Sequence, residues 1–221
     1  MLNAYHFLRS WVPGVTPAGG TLIAVLVVVH IAQEWFRNIL LMNFALWPIG
    51  EFYVAQGVGG REVLDFQIWQ LFTHSLLHSG TLHLFINIFG LWMFGSRLEE
   101  DWGGRRFLLF YTICVLSGAV THILVTQIEF GITGALPSPV IGASGGIFGI
   151  LLAFGILYPN ERIMLLIPPI PLKAKYVVIL FGIFELFAGI TGTLPSIAHF
   201  AHLGGMIGGY IGIKFWIRSP R

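Results

Sequence analysis

Six times along this chain an apolar run of 14 to 21 residues recurs between charges, glycines and prolines: about Thr21–Phe36, Thr81–Phe94, Phe107–Thr126, Gly142–Tyr158, Tyr176–Ile190 and Ile197–Ile217. Such runs are long enough, or nearly so, to cross a hydrocarbon core about 30 Å thick as helices. Composition leaves little alternative. Residues of the AVILMFWYC set make up 56% of the 221, and Asp, Glu, Lys and Arg only 10%, against roughly 25% charged in an average soluble domain. So few charges cannot cover a soluble surface. The expected fold is an all-α polytopic membrane protein of six transmembrane helices. Disorder, collagen and a disulfide scaffold are excluded, the last because Cys114 is the single cysteine. In its apolar run that thiol behaves as a small hydrophobe. A net charge of +2 is too small to point to nucleic acid.

Basic residues orient the bundle, because cytoplasmic loops carry the excess of Lys and Arg. With the N-terminus inside, the inner set is Arg9, Arg97, Arg105, Arg106, Arg162, Lys173, Lys175, Lys214, Arg218 and Arg221, and only Arg37 and Arg61 lie outside. Ten against two supports six crossings with both termini cytoplasmic. Met1–Gly20, with Arg9, Trp11 and two prolines, has no continuous apolar core and does not read as a signal peptide. The expected division is a cytoplasmic segment 1–20, a membrane domain 21–217 and a cytoplasmic tail 218–221. The stretch Leu40–Gln70 carries Trp47, Pro48, Phe52, Tyr53 and Trp69 with few charges, which suits a structure lying in the outer interface after the first helix. The compact six-span form suggests a bacterial cytoplasmic membrane, with an organelle membrane as the alternative.

Strongly polar residues inside a membrane are costly, which makes them candidates for function. They fall in three clusters. The first is Thr73-His74-Ser75-Leu76-Leu77-His78 with His83 and Asn87. The second is Gly142-Ala143-Ser144-Gly145-Gly146, and the third is His199 and His202 early in the last span. His83 precedes Arg97 by 14 residues, Ser144 precedes Arg162 by 18, and His202 precedes Arg218 by 16. At ~1.5 Å per residue these groups stand about 21, 27 and 24 Å above the inner boundary. One depth on three helices looks like one site. Ser79-Gly80-Thr81 starts a helix that places His83 and Asn87 on one face, leaving His74 and His78 in the preceding turn. The loop Leu136-Pro137-Ser138-Pro139 must descend into the protein to begin the fourth span at Ser144, and backbone at that depth has to be enclosed or wet. The rows Gly145-x-x-x-Gly149, Gly205-x-x-x-Gly209 and Gly204-x-x-x-Gly208-x-x-x-Gly212 let helices approach closely. Such close contact is the easiest way for Ser144 and His202 to come within hydrogen-bond reach.

A serine hydroxyl needs a base to become a nucleophile, and His202 is the candidate. The Ser144 backbone N–H, the Asn87 amide and His83 are candidate donors to the oxyanion. No acid is expected near His202. Glu185, the one acid well inside a span, is given no part, so the expected device is a Ser–His dyad performing acyl transfer to water.

Gly142-Ala143-Ser144-Gly145, Ala201-His202-Leu203-Gly204-Gly205 and the His74, His78, His83, Asn87 spacing resemble, in order, the motifs of the rhomboid family of intramembrane serine proteases. Gly95–Tyr111, including Glu99, is similar to the family's segment entering the third span. The resemblance runs from about Thr21 to Ile217. It implies a six-helix core that cleaves transmembrane proteins in the bilayer without a cofactor or metal. It further implies Ser144 as nucleophile, His202 as base and His83 with Asn87 as oxyanion donors, supported by His78, Gly142, Phe148 and Gly205. Phe148 stands where the family often has a tyrosine stacked on the histidine; stacking survives that change and a phenolic hydrogen bond does not.

Each residue also has a plainer reading. Ser144 alone is a helix cap, His202 alone an interhelical hydrogen-bonder, and His83 with Asn87 a support for the loop above. Their combination is what favours chemistry. His74 and His78 read as structural, and His30, His122 and His199 as packing residues. His74, His78, His83 and His202 as metal ligands would lack an acidic partner. Two other functions compete: an inactive rhomboid-like binder of membrane clients, which typically lacks the serine or histidine present here, and a small channel or transporter, for which inverted halves are missing.

Overall fold

The chain folds, in a computed structural model, as a helical bundle with two small hairpins. The structure describes residues 14–50, 52–56, 60–134, 138–165 and 170–217, with the backbone alone at 52–56, 60–64, 216 and 217. Arg9, Trp11, Leu136, Pro137, Arg218 and Arg221, invoked above, lie outside the described residues, as do most of the segment 1–20 and all of the tail 218–221.

The helices follow the apolar runs in order. Helix α1 spans Pro17–Phe44, α2 Gln70–Thr73, α3 Thr81–Gly90, α4 Ser96–Trp102, α5 Gly104–Thr133, α6 Ser144–Leu157, α7 Ala174–Thr191 and α8 His199–Ile217. Helices α1, α5 and α7 are each long and apolar enough to cross a membrane, and the pair Gln70–Leu76 with Thr81–Trp102, bent by 101°, makes a fourth candidate. A π-helical turn, Leu91–Gly95, joins α3 to α4. Helix α6 is a shorter apolar rod of 14 residues, and glycine-rich α8 packs against both α5 and α6.

Two boundaries differ from the sequence reading. The first helix runs on to Phe44, past a break at Phe36 (φ −117°, ψ 26°), because the residues after Arg37 include no helix breaker before Pro48. The third runs seven residues beyond Thr126 to Thr133, where Gly134 takes the left-handed conformation (φ 69°). Gly is the residue that ends a helix this way at no steric cost. Two small hairpins accompany the helices. The stretch Leu40–Gln70 holds an antiparallel hairpin, β1 (Phe52–Gln56) and β2 (Gly60–Leu64), and a second hairpin, β3 (Arg162–Met164) and β4 (Pro171–Lys173), leads into α7.

Hydrogen bonds tie the chain ends of the bundle. Glu99 of α4 accepts from Thr16 Oγ1 at 2.6 Å, Ala18 N at 2.8 Å and Gly19 N at 2.7 Å, so its carboxylate occupies the N-terminus of α1, where free N–H groups and the helix dipole favour an anion. At the other end Leu46 and Val140 exchange two backbone bonds, 2.9 and 3.0 Å, and Gly142 N donates to the His74 carbonyl at 2.9 Å. The loop entering α6 is thereby led down between α1, the turn after α2, and α5. The core below is built from Leu22 and Leu26, Leu84, Leu91 and Leu98, Phe107, Phe110, Tyr111, Cys114 and Val115, with Ile147, Ile150 and Ile213.

Candidate active site

Glycine sets the distance between the two helices that carry the reactive groups. A Cβ on Gly205 of α8 would stand 2.7 Å from the Gly145 carbonyl carbon and closer still to its oxygen. A Cβ on Gly209 would stand 2.8 Å from the Gly149 oxygen. Main chain therefore lies on main chain along both glycine rows. The second row, Gly204 and Gly208, faces α5, where a Cβ would stand 2.8 Å from the Ser117 oxygen at the first and 2.5 Å from Ser117 Cβ at the second. Ser117 Oγ donates to the Gly204 carbonyl at 2.8 Å.

This contact brings Ser144, first residue of α6, to His202, in the first turn of α8. The Oγ of one lies 2.7 Å from Nε2 of the other. His202 is 7% exposed and Ser144 half-buried. Phe148, one turn along α6, lies flat against the imidazole, with centroids 4.2 Å apart and planes 6° from parallel. The expected stack is present, and it restricts the ring to one plane.

The oxyanion candidates lie across Gly142. His83 Nδ1 faces the Ser79 N–H at 3.4 Å and Ser79 Oγ at 3.0 Å. An imidazole nitrogen that accepts from a backbone N–H is unprotonated, so the neutral ring carries its proton on Nε2. That nitrogen looks into the space that Gly142 leaves by having no side chain. A Cβ there would be 2.9 Å from His83 Nε2 and 3.5 Å from Ser144 Oγ. Gly142 has φ +132°, a conformation that other residues rarely adopt. Asn87, buried one turn below, turns its amide back to the His83 carbonyl at 2.8 Å, leaving its second N–H to offer. The structure thus gathers His83, Gly142, Ser144, Phe148, Gly205 and His202 in one place, with Asn87 beside them.

His74 and His78 sit outside that group. His74 bonds the Gln70 carbonyl through Nδ1 at 2.8 Å, the structural role expected. The His78 backbone is clamped by Gln33 of α1, whose Oε1 accepts from His78 N at 3.0 Å and whose Nε2 donates to its carbonyl at 3.2 Å. Its ring packs edge-on against His83, centroids 5.1 Å apart. Cys114 is buried and free, as expected of a small hydrophobe.

One expectation fails. An acid does reach His202: Glu185 of α7, 4% exposed, puts Oε2 2.9 Å from His202 Nδ1, off the N–H direction, and 2.6 Å from His199 Nδ1 in full hydrogen-bond geometry. His199 is therefore more than a packing residue. A mid-span carboxylate must find donors, and the two histidines opening the next span were the visible donors. These three groups do not have the spacing of ligands around one ion. Nitrogen and oxygen ligands of a tetrahedral zinc stand about 3.3 Å apart, whereas 2.6 Å is a hydrogen bond.

Matches to known proteins cover most of the chain. A family model described as Rhomboid domain matches residues 65–219. The chain is 32% identical over 156 residues to RHOMBOID-like protein 1 of Arabidopsis thaliana, covering 69% of this chain and 36% of that protein. It is 31% identical over 142 residues to Rhomboid protease GluP of Bacillus subtilis (strain 168), covering 64% of this chain and 25% of that one. It is 31% identical over 134 residues to Rhomboid protein 1, mitochondrial, of Saccharomyces cerevisiae, covering 61% and 38%. In each case the chain spans less than half the length of the relative.

Proposed function

This chain belongs to the rhomboid family, and from that premise we propose that it is an intramembrane serine endopeptidase, cutting membrane-protein substrates in or near their transmembrane segments through Ser144 and His202. The observation that carries the reading is the 2.7 Å contact between Ser144 Oγ and His202 Nε2, made by a hydroxyl at a helix start between Ala143 and Gly145. Such a hydroxyl reacts when a neighbouring base removes its proton.

In this reading Oγ attacks the scissile carbonyl as its proton passes to Nε2. The oxyanion meets the Ser144 backbone N–H, His83 Nε2–H and the second N–H of the Asn87 amide, donors in place before charge develops. Collapse returns the proton from Nε2 to the leaving amine. Water then attacks the acyl-enzyme with His202 as base again, freeing the acid and Ser144. No cofactor is called for.

The test is cleavage of a quenched single-span substrate in proteoliposomes. Ser144→Ala and His202→Ala are expected to abolish it while melting at the wild-type temperature, and a fluorophosphonate is expected to label Ser144. Undiminished cleavage by Ser144→Ala overturns the assignment.

A further inference from the structure

Three groups that those steps leave unused meet behind His202. Glu185 Oε2 lies 2.6 Å from His199 Nδ1, and His199 Nε2 lies 2.9 Å from the Thr193 carbonyl. A carbonyl oxygen only accepts, so Nε2 carries a proton. The other nitrogen of that ring also faces a carboxyl oxygen at hydrogen-bond distance and needs a second proton between them. A neutral imidazole has one N–H. Glu185 and His199 together therefore hold one proton more than a bare carboxylate and a neutral ring, which leaves the pair without net charge. Neutral pairing is what allows an acid to be buried there at all, since an uncompensated charge at this depth is costly.

His202 completes the arrangement. To take a proton from Ser144 its Nε2 must offer a lone pair, and a neutral ring then carries its proton on Nδ1. Nδ1 is the nitrogen that meets Glu185 Oε2 at 2.9 Å. A lone pair there would face the carboxylate oxygen and be repelled, while an N–H is attracted. The opposite tautomer would place an N–H toward Ser144 and leave no base.

The geometry points to Glu185 as a positioning residue that selects the Nδ1–H tautomer of His202, with His199, braced on the Thr193 carbonyl, as the clamp that aims the carboxylate. This inference rests on the protease reading of Ser144 and His202. During attack the serine proton moves to Nε2 and the Nδ1 proton stays where it is, so Glu185 takes up no proton and its negative end faces the imidazolium as it forms. Around the pair, α6 sets Phe148 against the ring of His202 and α7 itself sets Phe184 against that of His199; neither competes for the carboxylate.

Two measurements test it on the full chain. The first is Glu185→Gln in proteoliposomes, with active sites counted by fluorophosphonate labelling. Loss of a tautomer-setting carboxylate costs about 10⁴ in turnover where it is fully aligned; with an off-axis contact shared with His199, the kcat of Glu185→Gln is expected to fall about 10- to 1000-fold at nearly constant KM. Glu185→Ala is expected to recover part of its kcat in added formate, which a mere loss of packing does not. Unchanged kcat per active site in Glu185→Gln overturns the inference. The second uses wild-type protein with 15N-labelled histidine, the His202 signals assigned by comparison with His202→Gln. The ring proton is expected on Nδ1, and a proton on Nε2 overturns the inference even if the variants fail to fold. A wild-type protein that neither cleaves nor takes the probe removes the protease reading, while the tautomer still decides the Glu185 contact.

Discussion

Replacing Gly205 with alanine sets two opposed effects against each other. Alanine in a helix interior is favoured over glycine by about 0.8–1.0 kcal/mol, so in open space the change stabilises. At Gly205 the new Cβ falls 2.7 Å from the Gly145 carbonyl carbon, and carbon atoms rest at about 3.5–4.0 Å. The obstacle is backbone, which has no rotamer to change, and its oxygen stands nearer still, so α8 has to retreat from α6 by at least about 1 Å. Overpacking of this kind costs about 1–3 kcal/mol or more, which exceeds the propensity gain. The same retreat lengthens the 2.7 Å Ser144–His202 contact to about 3.7 Å, beyond the ~3.2 Å reach of a nucleophile–base pair. A misplacement of this size costs about 100-fold in rate. Gly182→Ala is the control: its Cβ meets only the flexible end of Met206, Cε at 3.5 Å and Sδ at 3.9 Å. Turnover of a single-span substrate and detergent melting curves are the assays. Gly205→Ala is expected to melt lower and lose about 100-fold in kcat, with Gly182→Ala equal or slightly more stable. A Gly205→Ala protein with wild-type kcat refutes the claim that main-chain contact sets the distance.

Glu99→Gln keeps the shape but removes the charge that anchors the α1 N-terminus; it is expected to destabilise by about 2–3 kcal/mol, read by melting, while kcat of the folded fraction holds. Phe148→Tyr preserves the ring lying 4.2 Å from His202 and is expected to remain within a few-fold of wild type. Phe148→Ala removes a stack worth about 0.5–1.5 kcal/mol, and a kcat loss of about 2- to 12-fold in the same cleavage assay is the expected reading.

The site was legible where polar residues and glycine rows had no other reason to sit in an apolar run. Ser144, His202, His83 and Asn87 stand out because lipid makes them expensive, and Gly145 with Gly205 foretells the contact that joins them. Phe148 follows from Ser144 by one helical turn. Glu185 was visible as a mid-span acid with His199 and His202 as candidate donors, yet which of them it meets, and how, depends on how the loop 192–198 returns α8 against α7, which no local pattern encodes. The same holds for Gln33, whose two bonds to the His78 backbone cross 45 residues of chain. Helix ends were missed for a different reason. Nothing directly after Arg37 or Thr126 stops a helix: the first meets no breaker before Pro48, and the third runs on until Gly134 ends it.

Helix α6 has 14 residues, a rod of about 21 Å in a hydrocarbon layer of about 30 Å. A rod cannot lengthen to suit its surroundings. Of its residues only Ile156 is exposed, so protein rather than lipid surrounds it, and the turns above it must bring polar backbone and solvent down to the serine. If Ser144 is the nucleophile proposed above, acyl-chain length becomes a determinant of hydrolysis: each added carbon pair raises the outer surface and deepens the column through which water reaches Ser144. Turnover compared across phosphatidylcholines of increasing chain length reads that depth directly, and a rate indifferent to thickness would mean that the water path runs inside the protein.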